Sequence, residues 1–448
     1  MRKLRPQPGR RSAGVRGRTG LWLLLGLWLL SAAGKAGAQG AASLMRLGLN
    51  EAVERALKNS PAALLAEQDV ELAAAHVTQV RASALPTLAA GGTYTRIDDD
   101  RRIGDQVFVP ANQLSGNVTV TAPLVAPQRW AAWVKARDEH KTARLEQRNA
   151  RRQLAIRVAQ AYLAVLTAQR VVEVSARAEE LAQAHYANAS KRLSGGVGSQ
   201  LDEVRAQQLV REEAGRLSRA RAELLRSQGM LGSLIGETSP VDAAAPAELP
   251  ALLGEAAAGT LDELHHQMQT LRADVIAQAA RLQAAQRTVR LRFVDYLPTL
   301  TGVFLPMYQS PASLVQPQLA WQAQLQLTVP LFDGGLRYGE LHEQRARLAE
   351  ERLRLSGLMQ QGRVELQVEL GALTHGQEAL QAARQAVMLA RRAVEIATLS
   401  YRLGAATNLE LLDAQRRAHD AETAAVLAED EVRRARLDLL ATTGRFPN

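Results

Sequence analysis

YRLGAATNLELLDAQ, residues 401–415, reads as one helix ending and another beginning. Gly404 is the stop, because only glycine enters the left-handed conformation at little cost, and Thr407 or Asn408 can cap the next helix through a side-chain oxygen. The stretch is an antiparallel helix reversal. Its grammar returns in LSGGVGSQLDEVRAQ, residues 193–207, at a separation of 208 (404 minus 196). Gly196 answers Gly404, Gln200 answers Asn408, Leu201 answers Leu409 and Asp202 answers Glu410. Two matched reversals in one chain imply a tandem duplication.

Working outward, the copies align over the whole chain beyond the leader. Residues 49–84 carry a helical pattern that Asn50 can cap and Pro86 ends, and LPTL at 85–88 is repeated at 297–300, ending in the same way at Pro298. Leu49 lies 37 residues before Pro86, and Leu261 lies 37 before Pro298. NVTVTAPL, 117–124, alternates Val118, Val120 and Ala122 against Asn117, Thr119 and Thr121, the pattern of a strand with one apolar and one wet face. AQLQLTVPL, 323–331, alternates in the same way through Leu325, Leu327 and Val329. Pro123 to Gly196 spans 73 residues and Pro330 to Gly404 spans 74.

From 128 to 193 the helical pattern runs without a breaker, about 100 Å at 1.5 Å per residue. Leu154, Val158, Ala161, Val165, Ala168 and Val172 give it the four-three spacing of a coiled-coil seam. A return helix follows from about Gln200 to Gly236, and an Ala/Pro-rich linker fills 237–260. The expected organisation is a signal peptide at 1–38, a first repeat at 39–236, the linker, and a second repeat at 261–448.

The leader is basic, then apolar from Leu21 to Leu30, then small at Ala36, Gly37 and Ala38, the layout of a secretory signal peptide. It carries eight basic residues and no acid, so the net charge of +10 falls to +2 (10 minus 8) without it, too balanced for a nucleic-acid partner. The chain has no Cys, which excludes disulfides, thiolate metal sites and Cys lipidation. No other segment is apolar enough for a spanning helix, so any membrane crossing must use strands. The alternating strands and nearby aromatics such as Tyr94, Trp130, Phe304 and Trp321 suggest a membrane-interface girdle. The scattered His residues, including His265 and His266, form no convincing metal site. No nucleophile motif or phosphate loop marks an enzyme, and no cofactor is implied.

Four strands per chain cannot close a barrel in lipid, so several chains must share one. Through the two LPTL segments, VTAPL, LTVPLFDGG and above all residues 401–415, the sequence resembles the TolC-type outer-membrane efflux protein family. The resemblance implies a mainly α fold with membrane β-strands, a TolC-like tandem repeat. Three chains would share a 12-stranded β-barrel above a long α-helical coiled-coil periplasmic tunnel. It implies a homotrimer in the outer-membrane lipid of a Gram-negative cell, serving tripartite efflux or type I secretion. Its partners would be a periplasmic adaptor (membrane fusion) protein and an inner-membrane transporter, and the linker would lie at a belt around the tunnel.

By the same resemblance the periplasmic gate falls on Glu410, Asp413, Asp202 and Tyr401, with the acids ringing the pore. Gly196, Leu201, Val204, Gly404, Leu409 and Leu412 would form the tip turns and adaptor-docking surface, and Pro86, Pro123, Pro298 and Pro330 mark strand and membrane entry. Where such proteins carry an Arg two residues after the tip glycine, this chain has Ala406, so a closed-state latch needs another residue such as Arg402. The competing reading is an exported structural or adhesive coiled coil without a channel. It predicts neither wet-faced strands nor two matched copies.

Overall fold

A computed structural model describes residues 45–244, 260–312 and 317–446. The expected signal peptide at 1–38 and residues 245–259 of the linker lie outside the described residues. The elements are β1 (Arg46–Leu47), α1 (Leu49–Asn59), α2 (Pro61–Ser83), β2 (Thr87–Arg96), β3 (Arg101–Ile103), β4 (Gln106–Val109), β5 (Asn112–Val125), α3 (Pro127–Ser194) and α4 (Gln200–Ile235). There follow β6 (Asp242–Ala243), α5 (Leu261–Leu271), α6 (Ala273–Leu291), β7 (Thr299–Ser310), β8 (Leu319–Thr328), α7 (Leu336–Arg402) and α8 (Asn408–Thr443). The long helices have 68 and 67 residues, and both return helices have 36.

The expected single helix over 49–84 is two helices. Ser60 takes an extended conformation, as the residue before a proline must, and Pro61 starts α2 at a position where its missing N–H costs nothing. Asn50 does not cap; it lies inside α1, whose N-cap is Gly48. The second repeat breaks in the same place at Arg272, with φ −71° and ψ 119° and no proline. Each break seats the end of its own return helix. Gly236 and Gly444, 208 apart, both hold positive φ, at 88° and 84°. A Cβ on Gly236 would come within 2.8 Å of the Asn59 carbonyl, and one on Gly444 within 2.8 Å of the Arg272 nitrogen.

The largest apolar core surrounds these joints and includes Leu154, Val158, Tyr162, Leu231, Ile235 and Leu437. Of the expected seam on α3, Leu154, Val158, Val165 and Ala168 are buried, while Ala161 and Val172 are only half-buried. Ala155, Ala159, Tyr162 and Leu166 are buried too, because α3 is packed by α2, α4, α6 and α8 rather than by one partner. Beside this core β1 pairs in parallel with β6. The buried Asp242 carboxylate accepts from Gln169 and Gln228 at 2.7 Å each and from Arg46 at 3.2 Å. Tyr162 donates to the Ala244 carbonyl, and burial, helped by Asp242, pushes its hydroxyl up to about 12.

Two carboxyls at the second joint stand above their ordinary range. Burial raises Glu369, helped by the nearby Asp438 and Glu365; burial also raises Asp438, against the hydrogen bond that Gln160 donates at 2.9 Å. Groups raised on folding are most stabilising while protonated, and that contribution is lost as pH climbs through their folded values. Glu369→Gln is therefore expected to raise the denaturation midpoint at pH 7, with the gain shrinking as pH falls into the ordinary carboxylate range. Denaturant titrations at several pH values read this; a gain independent of pH would assign it to packing.

The sheet has order β2-β5-β7-β8 and is antiparallel throughout. Its register sorts the side chains. Leu88, Val120, Phe304 and Ala323 align across one face, with Tyr94, Leu114, Tyr308 and Leu319 nearby, whereas Thr87 and Thr121 share the opposite face with Thr119, Asn117, Gln324 and Gln326. One face is apolar; the other is wet on β2, β5 and β8, while β7 sets Val303, Leu305 and Met307 on it. Leu319, Trp321 and Leu325 are between 71% and 76% exposed, which suits a lipid-facing surface. Strands of 10 to 14 residues are long enough to cross the hydrocarbon layer. β2 and β8 are unpaired edges within the chain. The polar segment between β2 and β5 contains the β3–β4 hairpin.

Candidate functional site at the helical tip

Both helix reversals stop through the same device. Gly196 and Gly404 each have φ 76°, and the amides of Val197 and Ala405 turn back to the carbonyls of Arg192 at 3.0 Å and Ser400 at 2.8 Å. This closes the free carbonyl ends of α3 and α7. Gly198 is also required, since a Cβ there would lie 2.7 Å from the Leu193 nitrogen. The return helices begin on side-chain caps. Ser199 accepts from the Leu201 amide at 3.2 Å. Thr407, not Asn408, caps α8: its hydroxyl accepts from the Glu410 amide at 3.3 Å, and the Glu410 carboxylate accepts from the Thr407 amide at 2.8 Å.

That frees Asn408, which is 3% exposed, for another task. Its amide donates to the Asp202 carbonyl at 3.1 Å, so its oxygen faces His185 Nε2 at 2.7 Å. The imidazole therefore carries its proton on Nε2 and donates. Burial lowers the His185 pKa, against the Asn408 hydrogen bond and the Asp202 charge, so the ring is neutral at pH 7. His185 also meets the Tyr401 ring edge-on with centroids 5.7 Å apart. The Arg192 guanidinium lies 4.9 Å from the Tyr401 ring centre and donates to the Tyr401 carbonyl at 3.4 Å. These contacts tie the first repeat to the second at the tip.

The expected site residues thus divide. Tyr401 is held by Arg192 and His185, whereas Arg402 has no carboxylate within ion-pair distance among the described residues. Glu410 and Asp413 are exposed; Glu410 serves the cap and Asp413 pairs with Arg417 at 2.9 Å. Asp202 contributes its carbonyl to Asn408. Leu201, Val204 and Leu409 are exposed, as are Val197 and Leu403, but Leu412 packs inward with Ala182 and Leu209. Pro86 and Pro298 immediately precede β2 and β7, and Pro330 follows β8. Pro123 pairs with Thr301 inside β5, where the register slips before Val125.

Sequence reasoning did not find His185 or Arg192. The signal for His185 is a polar residue on the face between Ala182 and Ala189, both buried. Further along, the return helices meet through Arg416–Glu212 at 2.6 Å and Arg216–Asp420 at 3.0 Å, beside the buried His419 and Glu213.

An open sheet with one apolar and one wet face, joined to helices of about 100 Å, defines a membrane conduit. The outer membrane efflux protein family model matches residues 52–237 and 264–445, and the chain belongs to that family. It is an outer-membrane channel of efflux systems, extending into the periplasm of a Gram-negative cell, and not an enzyme. Membership implies oligomerisation and assembly with adaptor and pump partners.

A Pseudomonas aeruginosa membrane protein shares the fold with TM-score 0.77 and 23% identity, over 90% of this chain and 93% of that one. The outer membrane protein VceC of Vibrio cholerae matches with TM-score 0.71 and 22% identity, over 88% and 96%. The open-state MtrE channel of Neisseria gonorrhoeae matches with TM-score 0.72 and 19% identity, over 91% and 93%. No curated protein sequence matches the chain.

Proposed function

We propose that three copies close one barrel, that the wet sheet faces line its lumen, and that the paired reversals form the gated periplasmic mouth where an adaptor docks. The observation that carries this is the strand order. Within the chain, β5, the second strand of one repeat, pairs with β7, the first strand of the next. Across copies, β8 can pair with β2 in the same relation, so three four-stranded sheets give twelve strands with no edge left. The helices support the same count. Buried residues on α7 are few beside those on α3, and Leu389, Ile396, Leu399 and Leu403 form a stripe 54% to 75% exposed that a neighbouring copy would cover.

The duplication also specifies the register of the joint. Pro330 lies 207 after Pro123, and Pro298 lies 212 after Pro86. Val120 pairs with Phe304, so Leu327 (120 plus 207) should pair with Gly92 (304 minus 212) of the next copy. Both lie on the apolar face. Because the chain has no Cys, Leu327→Cys paired with Gly92→Cys gives a clean cross-link, expected as a disulfide-linked trimer on oxidation. Yields should peak at 92 in a scan of 90, 92 and 94. A cross-link confined to one chain, or a purified channel with no trimer-dependent conductance in planar bilayers, would refute the shared barrel.

At the mouth, Glu410 is the dominant gate charge, since Arg417 offsets Asp413. Glu410→Gln with Asp413→Asn keeps hydrogen-bonding side chains at both positions while removing charge. It is expected to reduce cation-over-anion selectivity roughly twofold or more, and Arg417→Gln to increase it. Reversal potentials in asymmetric salt read both; unchanged values would place these carboxylates away from the constriction.

A further inference from the structure

α6 lies against both α3 and α7, whereas α2 lies against α3. In the proposed ring the short helix missing beside α7 is α2 of the next copy, just as β8 there meets β2. The two halves correspond residue by residue. On the long helices the separation is 208 (362 minus 154), since Ala136 and Gln344, Leu154 and Gly362, and Val158 and Leu366 are buried in matched pairs. On the short helices it is 212, set by the breaks at Ser60 and Arg272 (272 minus 60).

Within the chain the α3–α6 joint is held by Glu146 with Arg281 and Asp138 with Arg287, each at 2.6 Å. At the matching α7–α2 joint stand Arg354 (146 plus 208) and Asp69 (281 minus 212), so the first pair recurs with its charges exchanged. The second pair is replaced by Ala346 (138 plus 208) and Ala75 (287 minus 212). Arg354 is 52% exposed and reaches Glu350 and Glu351 along its own helix. Asp69 is exposed and, among the described residues, has no cation within ion-pair distance. The exchange runs along the helices: from Pro61 to Ala75 α2 has three acids and no base, and from Val275 to Leu291 α6 has three Arg and no acid. Where α6 has Ala277 and Ala284, α2 has Leu65 and Leu72, 65% and 68% exposed.

We infer that α2 of one copy seats on α7 of the next through Asp69 and Arg354, and that the exchanged charges make the halves alternate around the ring. The inference rests on the shared-barrel reading and adds what selects the neighbouring half. Halves of one polarity would join in any order. With the polarity exchanged, a first half beside another first half sets Glu146 against Asp69, and two second halves set Arg354 against Arg281. Each wrong joint also leaves Asp138 or Arg287 opposite an alanine. Alternation alone brings opposite charges together at every joint.

The test produces two full-length channels together, each with its own affinity tag, and measures how much of one is purified with the other. Two wild-type copies should mix freely. A copy with Asp69→Arg and Arg354→Glu matches itself but presents like charges to a wild-type neighbour on either side, so any mixed trimer contains two repulsive joints. It is expected to form trimers by itself, while mixed trimers fall at least roughly threefold below the wild-type pairing. Asp69→Asn with Arg354→Gln removes the charges without reversing them and should mix freely with wild type. Free mixing of the charge-exchanged copy, its failure to form trimers, or equal exclusion of the neutral copy overturns the inference and leaves the shared barrel standing. If wild type forms no trimer, the shared barrel and the inference fail together.

Discussion

Asn408→Ala is expected to raise the open probability of the reconstituted channel between roughly tenfold and a hundredfold. Asn408 is buried, and its amide joins His185 on α3 to the Asp202 carbonyl on α4, although it belongs to α8. In the gate proposed above this contact belongs to the closed tip, where removing it leaves the His185 N–H and the Asp202 carbonyl without this partner, a cost of about 1–3 kcal/mol. In the open mouth those groups reach water, so the cost falls on the closed state alone, and about 1.4 kcal/mol is tenfold in the equilibrium. Thr407 still caps α8, so the helix start survives the substitution. Single-channel recordings read the change. His185→Ala should act in the same direction, and the double variant should fall short of the sum, because both remove one hydrogen bond. An unchanged open probability would mean that the mouth does not separate along this contact.

Gly236→Ala and Gly444→Ala are expected to loosen the two joints by about 2–4 kcal/mol each. Each glycine combines a left-handed conformation with backbone atoms 2.8 Å from where a Cβ would go, so strain and collision add. Neither contact can be relieved by turning a flexible side chain. Amide exchange at the first turns of α2 and α6 should accelerate by roughly thirtyfold or more, a factor that corresponds to about 2 kcal/mol. Gly215, with open space around its Cβ position, is the control; Gly215→Ala should leave exchange at the joints unchanged. Equal effects at all three sites would remove the seating argument.

Most of this architecture is legible in residue order. The reversals are marked by single glycines with capping residues behind them, and these signals act within a few residues of chain. The strands that alternate cleanly, β5 and β8, are visible for the same reason. β7 is less so. Val303, Leu305 and Met307 occupy its wet face beside Thr301 and Gln309, so its period of two is blurred, and its LPTL start identifies it only by comparison with the first repeat. The break at Ser60 has a written signal in Pro61, whereas its counterpart at Arg272 has none; tertiary packing against Gly444 accompanies it.

The tip site was half legible. Tyr401 and Asp202 stand at the two helix reversals, but their partners Arg192 and Asn408 come from about 200 residues away, and sequence spacing gives no view of contacts across repeats. Thr407 and Asn408 were equivalent candidates for the cap because either side chain can accept from an amide. The structure separates them. The capping box uses Thr407 and Glu410, and burial against His185 gives Asn408 its role in joining the repeats.

In the proposed trimer, the equivalence of the β5–β7 joint within a chain and the β8–β2 joint between chains bears on how the assembly came about and how it forms. Each half carries a pair of strands, a long helix and a return helix, so six separate halves would close the same barrel. Joining two halves in one polypeptide turns three of six intermolecular joints into intramolecular ones. Each encounter avoided removes a translational and rotational entropy cost of several kcal/mol, and the order of assembly drops from six to three. Fusion also lets the halves diverge: one reversal keeps Gly195, Gly196 and Gly198, while the other has Leu403, Gly404 and Ala406. In the proposed assembly, symmetry of six in the lumen wall thereby coexists with symmetry of three at the mouth.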